Sequence, residues 1–188
     1  MSRTVQVTFD AHDPRALSTF WRDVLGYVHP APPGVELPAG ADQLAAWDAF
    51  LAKNKDDGLV REVVLLMKRV LKRLDMTAKS FFALAEPGSC FVGSLLELAL
   101  AADRLYMKDD PDANVAVATS PMNAGLLPMG NGLSRLATRF LAEPERVNRV
   151  LESGALETAD AMKAGLVTFA PDDIDWDDEI RIALEERA

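Results

Sequence analysis

One segment, residues 80–103, limits the possible folds of this chain more than any other. Ser80–Ala85 is a mainly apolar run of strand length, and the turn-forming sequence Glu86–Ser89 ends it. An apolar helix is then predicted to begin at Gly93 or Ser94 and to run through Ala102. Because strand and helix patterns alternate from residue 58 onwards, the sequence predicts α/β layers.

The loop between this strand and this helix could hold an oxyanion. Backbone N–H groups at a helix start have no intrahelical partner and can bind negative charge. Gly88, Ser89, Gly93 and Ser94 are small, so a substrate could approach the backbone closely. Glu97 lies one turn into the helix among leucines, where a carboxyl has a raised pKa and suits general acid/base catalysis. A salt bridge or the helix dipole would explain the same glutamate, and spacing alone leaves these alternatives open.

This strand, loop and helix resemble the oxyanion-loop signature of the crotonase (enoyl-CoA hydratase/isomerase) superfamily. Members polarise an acyl-CoA thioester carbonyl with two backbone N–H groups. Within the superfamily, the chain resembles the lyases that open the ring of benzoyl-CoA derivatives, and the resemblance covers about residues 58–188. The stretches that carry it are Leu71–Ser80, Phe82–Phe91, Pro128–Leu136 and Gly165–Ala188.

The resemblance implies a partial crotonase-like (ClpP/crotonase) layer fold and a lyase or hydratase activity. The implied substrate is an aromatic acyl-CoA thioester, as in ring opening of a benzoyl-CoA dihydrodiol or epoxide, and no other cofactor is implied. Glu97 matches the first catalytic glutamate of hydratase-type crotonases, six residues before Asp103, and Ser94 lies near one oxyanion donor. The second glutamate position is occupied by Pro121, which can neither move a proton nor donate an N–H. Asn123 or a water molecule is the alternative there.

Three other residues are candidates for a substrate pocket. Met122 and Met129 flank a glycine-containing loop and, with Asn123, could line an acyl pocket. Methionines also fill irregular gaps in apolar cores, so a role in core packing is the open alternative for Met122 and Met129. The acidic run at 172–179 is explained by a turn and a helix start, and no metal site is predicted from it.

Residues 3–51 carry a second resemblance, to the opening βα unit of a glyoxalase-like (vicinal oxygen chelate) domain. Alternation over Val5–Phe9 predicts a strand, and Asp13–Gly26 predicts a helix that begins at Asp-Pro. The metal sites of such domains need His or Glu ligands, whereas this strand offers Gln6 and Thr8. No metal is therefore assigned.

We predict three segments: a glyoxalase-like βα fragment at 1–52, a polar junction at 53–58 and an incomplete crotonase-like region at 59–188. Crotonases carry several strands and a CoA-binding loop before the matched part. An inactive or partner-dependent fusion fragment, which pairs its sheet edges with a subunit supplying the missing half, is therefore an alternative. A glyoxalase-like protein is another. The crotonase resemblance also implies a homo-oligomer.

Charge and cysteine content limit the binding partners and the cellular compartment that can be expected for this protein. The 29 acidic residues exceed the 20 basic ones, and the net charge of −9 disfavours nucleic acid and anionic membrane surfaces. The most apolar stretch, 91–102, is too short to span a bilayer. The single Cys90 cannot form an internal disulfide, which favours a cytoplasmic protein.

Overall fold

The computed structural model of the protein describes residues 40–113 and 115–186. The chain divides between Ala39 and Gly40, and the described residues belong to the second unit, Gly40–Ala188. The predicted strand at 5–9 and helix at 13–26, with the glyoxalase-like resemblance that they carry, lie outside the described residues.

Two helices, α1 (Ala41–Lys53) and α2 (Gly58–Asp75), open the second unit. Asp57 caps α2, since its carboxylate accepts the N–H groups of Leu59 and Val60 at 3.0 and 3.1 Å. The residues predicted as a junction, 53–58, thus include the turn between two helices of one unit. A meeting of two modules at this point stays a prediction.

The strands form two small sheets, and the helices between them make the predicted α/β layers. In one sheet, β1 (Phe82–Ala85) pairs in parallel with β3 (Arg104–Met107), so that Phe82 lies opposite Arg104. In the other, β2 (Phe91–Val92) pairs in parallel with β4 (Ala116–Ala118), and β4 pairs antiparallel with β5 (Ala155–Glu157). Because parallel neighbours need a crossover, the chain passes through helix α3 (Gly93–Ala101) between β1 and β3.

The remaining elements follow in chain order: a 3-10 helix at Pro121–Ala124, α4 (Arg135–Arg139), α5 (Glu145–Glu152), α6 (Thr158–Ala164) and α7 (Trp176–Glu185). Within the described ranges, no helix combines the length and the apolar character needed to cross a membrane.

Helix α3 lies between two apolar clusters. On one side, Leu96 and Ala99 pack in the main core with Leu105, Leu136 and other buried residues. On the other side, Leu98 packs against a second cluster formed by Val64, Leu71, Met122 and Leu127. Apolar groups therefore enclose the middle of α3 on both sides, and any polar group there must find its partners inside the protein.

Candidate active site

The start of α3 is capped by a side chain from far away in the sequence. Val92 at the N-cap position makes no side-chain cap hydrogen bond. Instead, Asp48 of α1 accepts the Ser94 N–H through Oδ2 at 2.6 Å. The same oxygen accepts the Ser120 hydroxyl at 2.7 Å. Asp48 is only 1% exposed, so a buried carboxylate lies beside the Ser94 N–H at the helix N-terminus.

Gly93 makes room for that carboxylate. Its φ of +50° is in the left-handed region, and a Cβ built on it would overlap Asp48 Oδ2. A side chain at this position would therefore displace Asp48 or distort the α3 start.

Glu97 lies one turn into α3 and is fully buried, with 1% of its surface exposed. Its Oε1 accepts a hydrogen bond from Asn123 Nδ2 at 2.7 Å, and its Oε2 accepts one from Arg135 Nη1 at 2.7 Å. Burial raises the pKa of Glu97, and the hydrogen bonds from Arg135 and Asn123 oppose that rise. Both oxygens are thus held in a fixed direction.

Arg135 connects Glu97 to a second buried acid. Its Nε and Nη2 donate to the two carboxylate oxygens of Asp75 at 3.0 and 2.7 Å, and its Nη1 also donates to the Leu127 carbonyl at 3.1 Å. The side chains of Arg135 and Asp75 are 1% and 6% exposed. A fork-shaped guanidinium is suited to such a bidentate contact. Helices α2, α3 and α4 are joined by this ion-pair chain.

Asn123 joins Glu97 to the start of α3. Its Nδ2 donates to the Gly93 carbonyl at 2.9 Å as well as to Glu97. Its Oδ1 accepts the Ser120 N–H at 2.8 Å, which completes a capping box at the start of the 3-10 helix. Pro121 occupies the first position of that helix and is exposed. The residue of this 3-10 helix that contacts Glu97 is therefore Asn123, through its side-chain amide.

The predicted loop residues separate into two groups. Gly93 and Ser94 form the α3 start beside Asp48. Gly88 and Ser89 belong instead to the turn after β1, where the Ser89 hydroxyl accepts the Glu86 N–H at 3.1 Å and lies 3.4 Å from the Leu84 carbonyl. The Ser89 hydroxyl is therefore occupied within its own turn.

The two candidate pocket methionines also differ. Met122 is fully buried in the second apolar cluster, so it fills the core. Met129 is half-buried in a turn that its backbone closes with Gly132 and Leu133. A role for Met129 in a substrate pocket stays a prediction.

Four residues of this site could not be picked out from the sequence: Asp48, Asp75, Ser120 and Arg135. Asp48 lies 46 residues before its partner Ser94, and no local pattern marks such a contact. Asp75 and Arg135 are 60 residues apart, yet both lie in stretches that carry the crotonase resemblance. Among the described residues, no group of three or more His, Cys, Asp or Glu side chains could hold a metal ion.

The layered arrangement places this chain in a known fold class. It is similar to the enoyl-CoA hydratase of Thermoplasma volcanium GSS1, with a TM-score of 0.53 and 20% identity over 81% of this chain and 56% of that one. It is also similar to a putative enoyl-CoA hydratase of Thermobifida fusca YX solved in complex with acetoacetyl-CoA, with a TM-score of 0.50 and 17% identity over 73% of this chain and 49% of that one. At such identities the likeness shows the fold alone, and the predicted partial crotonase-like α/β fold is confirmed.

A curated relative is more specific. The chain is 50% identical over 143 residues to the benzoyl-CoA-dihydrodiol lyase of Aromatoleum evansii. The match covers 75% of this chain and 26% of the relative, so the chain spans about a quarter of that protein's length. No family model matches the chain. The resemblance to crotonase-type lyases is thereby supported, whereas the glyoxalase-like resemblance stays a prediction.

Proposed function

We propose that this chain carries the acyl-CoA site of a crotonase-type lyase or hydratase that acts on an aromatic acyl-CoA thioester. The observation that carries the proposal is Glu97, a buried carboxylate held by two donors within one turn of the α3 N-terminus. The similarity to a relative named as a benzoyl-CoA-dihydrodiol lyase supports the aromatic thioester as substrate. The thioester itself brings the CoA group, so the proposal requires no other cofactor.

The thioester oxygen is held at the α3 start in this proposal. The N-terminus of a helix carries partial positive charge and free N–H groups, which stabilise the negative charge that develops on a thioester oxygen. Ser94 contributes an N–H that Asp48 Oδ2 accepts in this structure, and Gly93 leaves room for an oxygen beside the backbone at the same place. Gly88 and Ser89 lie in the turn after β1 and precede this region along the chain, on the other side of β2.

Glu97 acts as the general acid/base. Two donors stabilise its carboxylate, while burial raises its pKa, so the group can accept a proton from substrate or water and return it. Asn123 and Arg135 fix the orientation of the carboxylate, and a fixed direction of proton transfer is what general base catalysis requires.

The test is the isosteric substitution Glu97→Gln, measured with a benzoyl-CoA dihydrodiol as substrate. The amide can no longer take up a proton, so we expect kcat to fall by about 100-fold or more. The dissociation constant for benzoyl-CoA should stay within about twofold, because the oxyanion donors are unchanged. Glu152→Gln on the exposed end of α5 is the matched control and should leave both constants unchanged. Full activity of Glu97→Gln would contradict the catalytic role.

One observation favours a second candidate function, a site that is active only when another polypeptide covers α2. Four apolar residues on one stripe of α2 are exposed by 40–76%: Leu59, Val63, Leu66 and Val70. An apolar stripe of this kind on a soluble protein marks an interaction surface. Light scattering combined with activity assays distinguishes the two candidates. A monomer that turns over substrate supports the first, and activity that appears only in an oligomer or complex supports the second.

A further inference from the structure

Asp48 Oδ2 has the two contacts that an oxyanion would have. The Ser94 N–H and the Ser120 hydroxyl both point to this oxygen, at 2.6 and 2.7 Å, close to the distances of an oxyanion hole. We propose that Ser120 is the second donor of the anion site at the α3 start, and that Asp48 occupies this site as a resident anion until the thioester oxygen displaces it. The identity of that ligand rests on the proposed function; the anion site itself does not.

The hydroxyl of Ser120 is oriented for donation. Its Oγ already accepts the Met122 N–H at 3.1 Å, so its own proton is directed to the other side, where Asp48 lies. The Ser120 backbone is held at the same time by Asn123 Oδ1 at 2.8 Å. A donor that is fixed before the ligand arrives costs no reorganisation when charge develops. The site thus has one backbone donor and one side-chain donor.

Asp48 is an unusual anchor for a helix. It is the buried residue of α1, while Trp47 and Phe50 on either side of it are 45% and 48% exposed. Leu51 and Ala52 contribute partly buried contacts to the second apolar cluster. The helix is therefore held in place to a large extent by a carboxylate inserted into the anion site.

The carboxylate is also incompletely satisfied. Its Oδ1 is buried without a hydrogen-bond partner, and within 40–113 and 115–186 no Lys or Arg forms an ion pair with it. A buried charge with an unpaired oxygen and no counter-charge is costly. Displacement of Asp48 by a ligand oxygen returns this carboxylate to water, so the cost of opening the site is partly offset.

The first test asks whether the site binds a small carboxylate once Asp48 is removed. In Asp48→Ala, acetate should raise the melting temperature and move the Ser94 amide proton downfield, whereas chloride at equal ionic strength should do neither. Adding Ser120→Ala to that variant should abolish the acetate effect. Asp42→Asn, at an exposed aspartate of the same helix, is the control and should give no acetate response. Where Asp48→Ala does not fold by itself, refolding of the same variant with acetate or with chloride at equal ionic strength gives the test, since only acetate should restore the fold.

The second test uses benzoyl-CoA. If Asp48 competes with the thioester oxygen, Asp48→Ala should bind benzoyl-CoA about tenfold more tightly than the unaltered chain. A helix cap with no other role predicts weaker binding and lower stability instead. The inference is overturned if acetate has no effect on Asp48→Ala, or if both proteins bind benzoyl-CoA and the affinity of that variant is unchanged or lower. Acetate binding without benzoyl-CoA binding in any variant supports the anion site and overturns the proposed function.

Discussion

Replacement of Arg135 by methionine should be among the most destabilising single changes in this protein. Arg135 donates four hydrogen bonds, two to Asp75, one to Glu97 and one to the Leu127 carbonyl. The side chains of Arg135, Asp75 and Glu97 are 1%, 6% and 1% exposed. The substitution keeps an apolar stem of similar length but leaves two buried carboxylates without a cation.

The magnitude follows from that burial. Breaking a buried ion pair by removal of one partner costs about 3–5 kcal/mol, so we expect a loss of about 4 kcal/mol in the free energy of unfolding. At about 2–4 °C per kcal/mol for a chain of this size, the melting temperature should fall by roughly 10 °C. Urea unfolding followed by circular dichroism measures the first quantity and a thermal scan the second.

A matched control is available on α5. Arg149 pairs with Glu145 at 3.6 Å, and both side chains are 67% exposed. Arg149→Met should cost less than about 0.5 kcal/mol, because exposed pairs contribute little. A loss below about 1 kcal/mol for Arg135→Met would show that Asp75 and Glu97 do not depend on this cation, because hydration or protonation of the two carboxylates would then replace it at almost no cost in free energy.

Three further predictions concern the same region. Because burial raises the pKa of Glu97, the native state keeps its proton at pH values where the unfolded chain has lost it. Stability should therefore fall as pH rises through that range, and Glu97→Gln should flatten the profile in urea titrations; an unchanged slope would contradict the pKa shift. Gly93→Ala should lower the free energy of unfolding by about 2 kcal/mol, because the added methyl group would overlap Asp48. In a double-mutant cycle, the same substitution should cost less in an Asp48→Ala background. Strictly additive effects of the two substitutions would contradict the close contact between these residues. Leu96→Ala should cost about 2–5 kcal/mol in the same unfolding assay, because Leu96 is fully buried in the main core; a cost below about 1 kcal/mol would argue against that packing.

Much of the fold follows from local sequence patterns. The strand predicted at Ser80–Ala85 is observed at Phe82–Ala85, and α3 begins at Gly93, one of the two predicted starts. These elements are bounded by residues with strong local preferences, such as glycine at a positive φ. The β2 and β5 strands were not predicted, because two or three residues are too few for any periodicity.

The site was predictable only in part. Glu97 and Asn123 were singled out from the sequence, and the structure places them 2.7 Å apart. Asp48 and Ser120 are 72 residues apart, and their contact depends on how α1 packs across the start of α3. A polar contact between residues so far apart produces no periodic pattern in the sequence. The residues that neighbour each partner along the chain do show such a pattern.

Calorimetric titration of the purified chain with benzoyl-CoA shows whether the α3 start and Glu97 form an acyl-CoA site. Free CoA is the control, because it lacks the acyl oxygen that the α3 start would hold. If the α3 start and Glu97 do form this site, benzoyl-CoA should bind saturably and much more tightly than free CoA. Equal affinity for both ligands, or no binding of benzoyl-CoA by the folded chain and by its Asp48→Ala variant, would show that this region is not an acyl-CoA site.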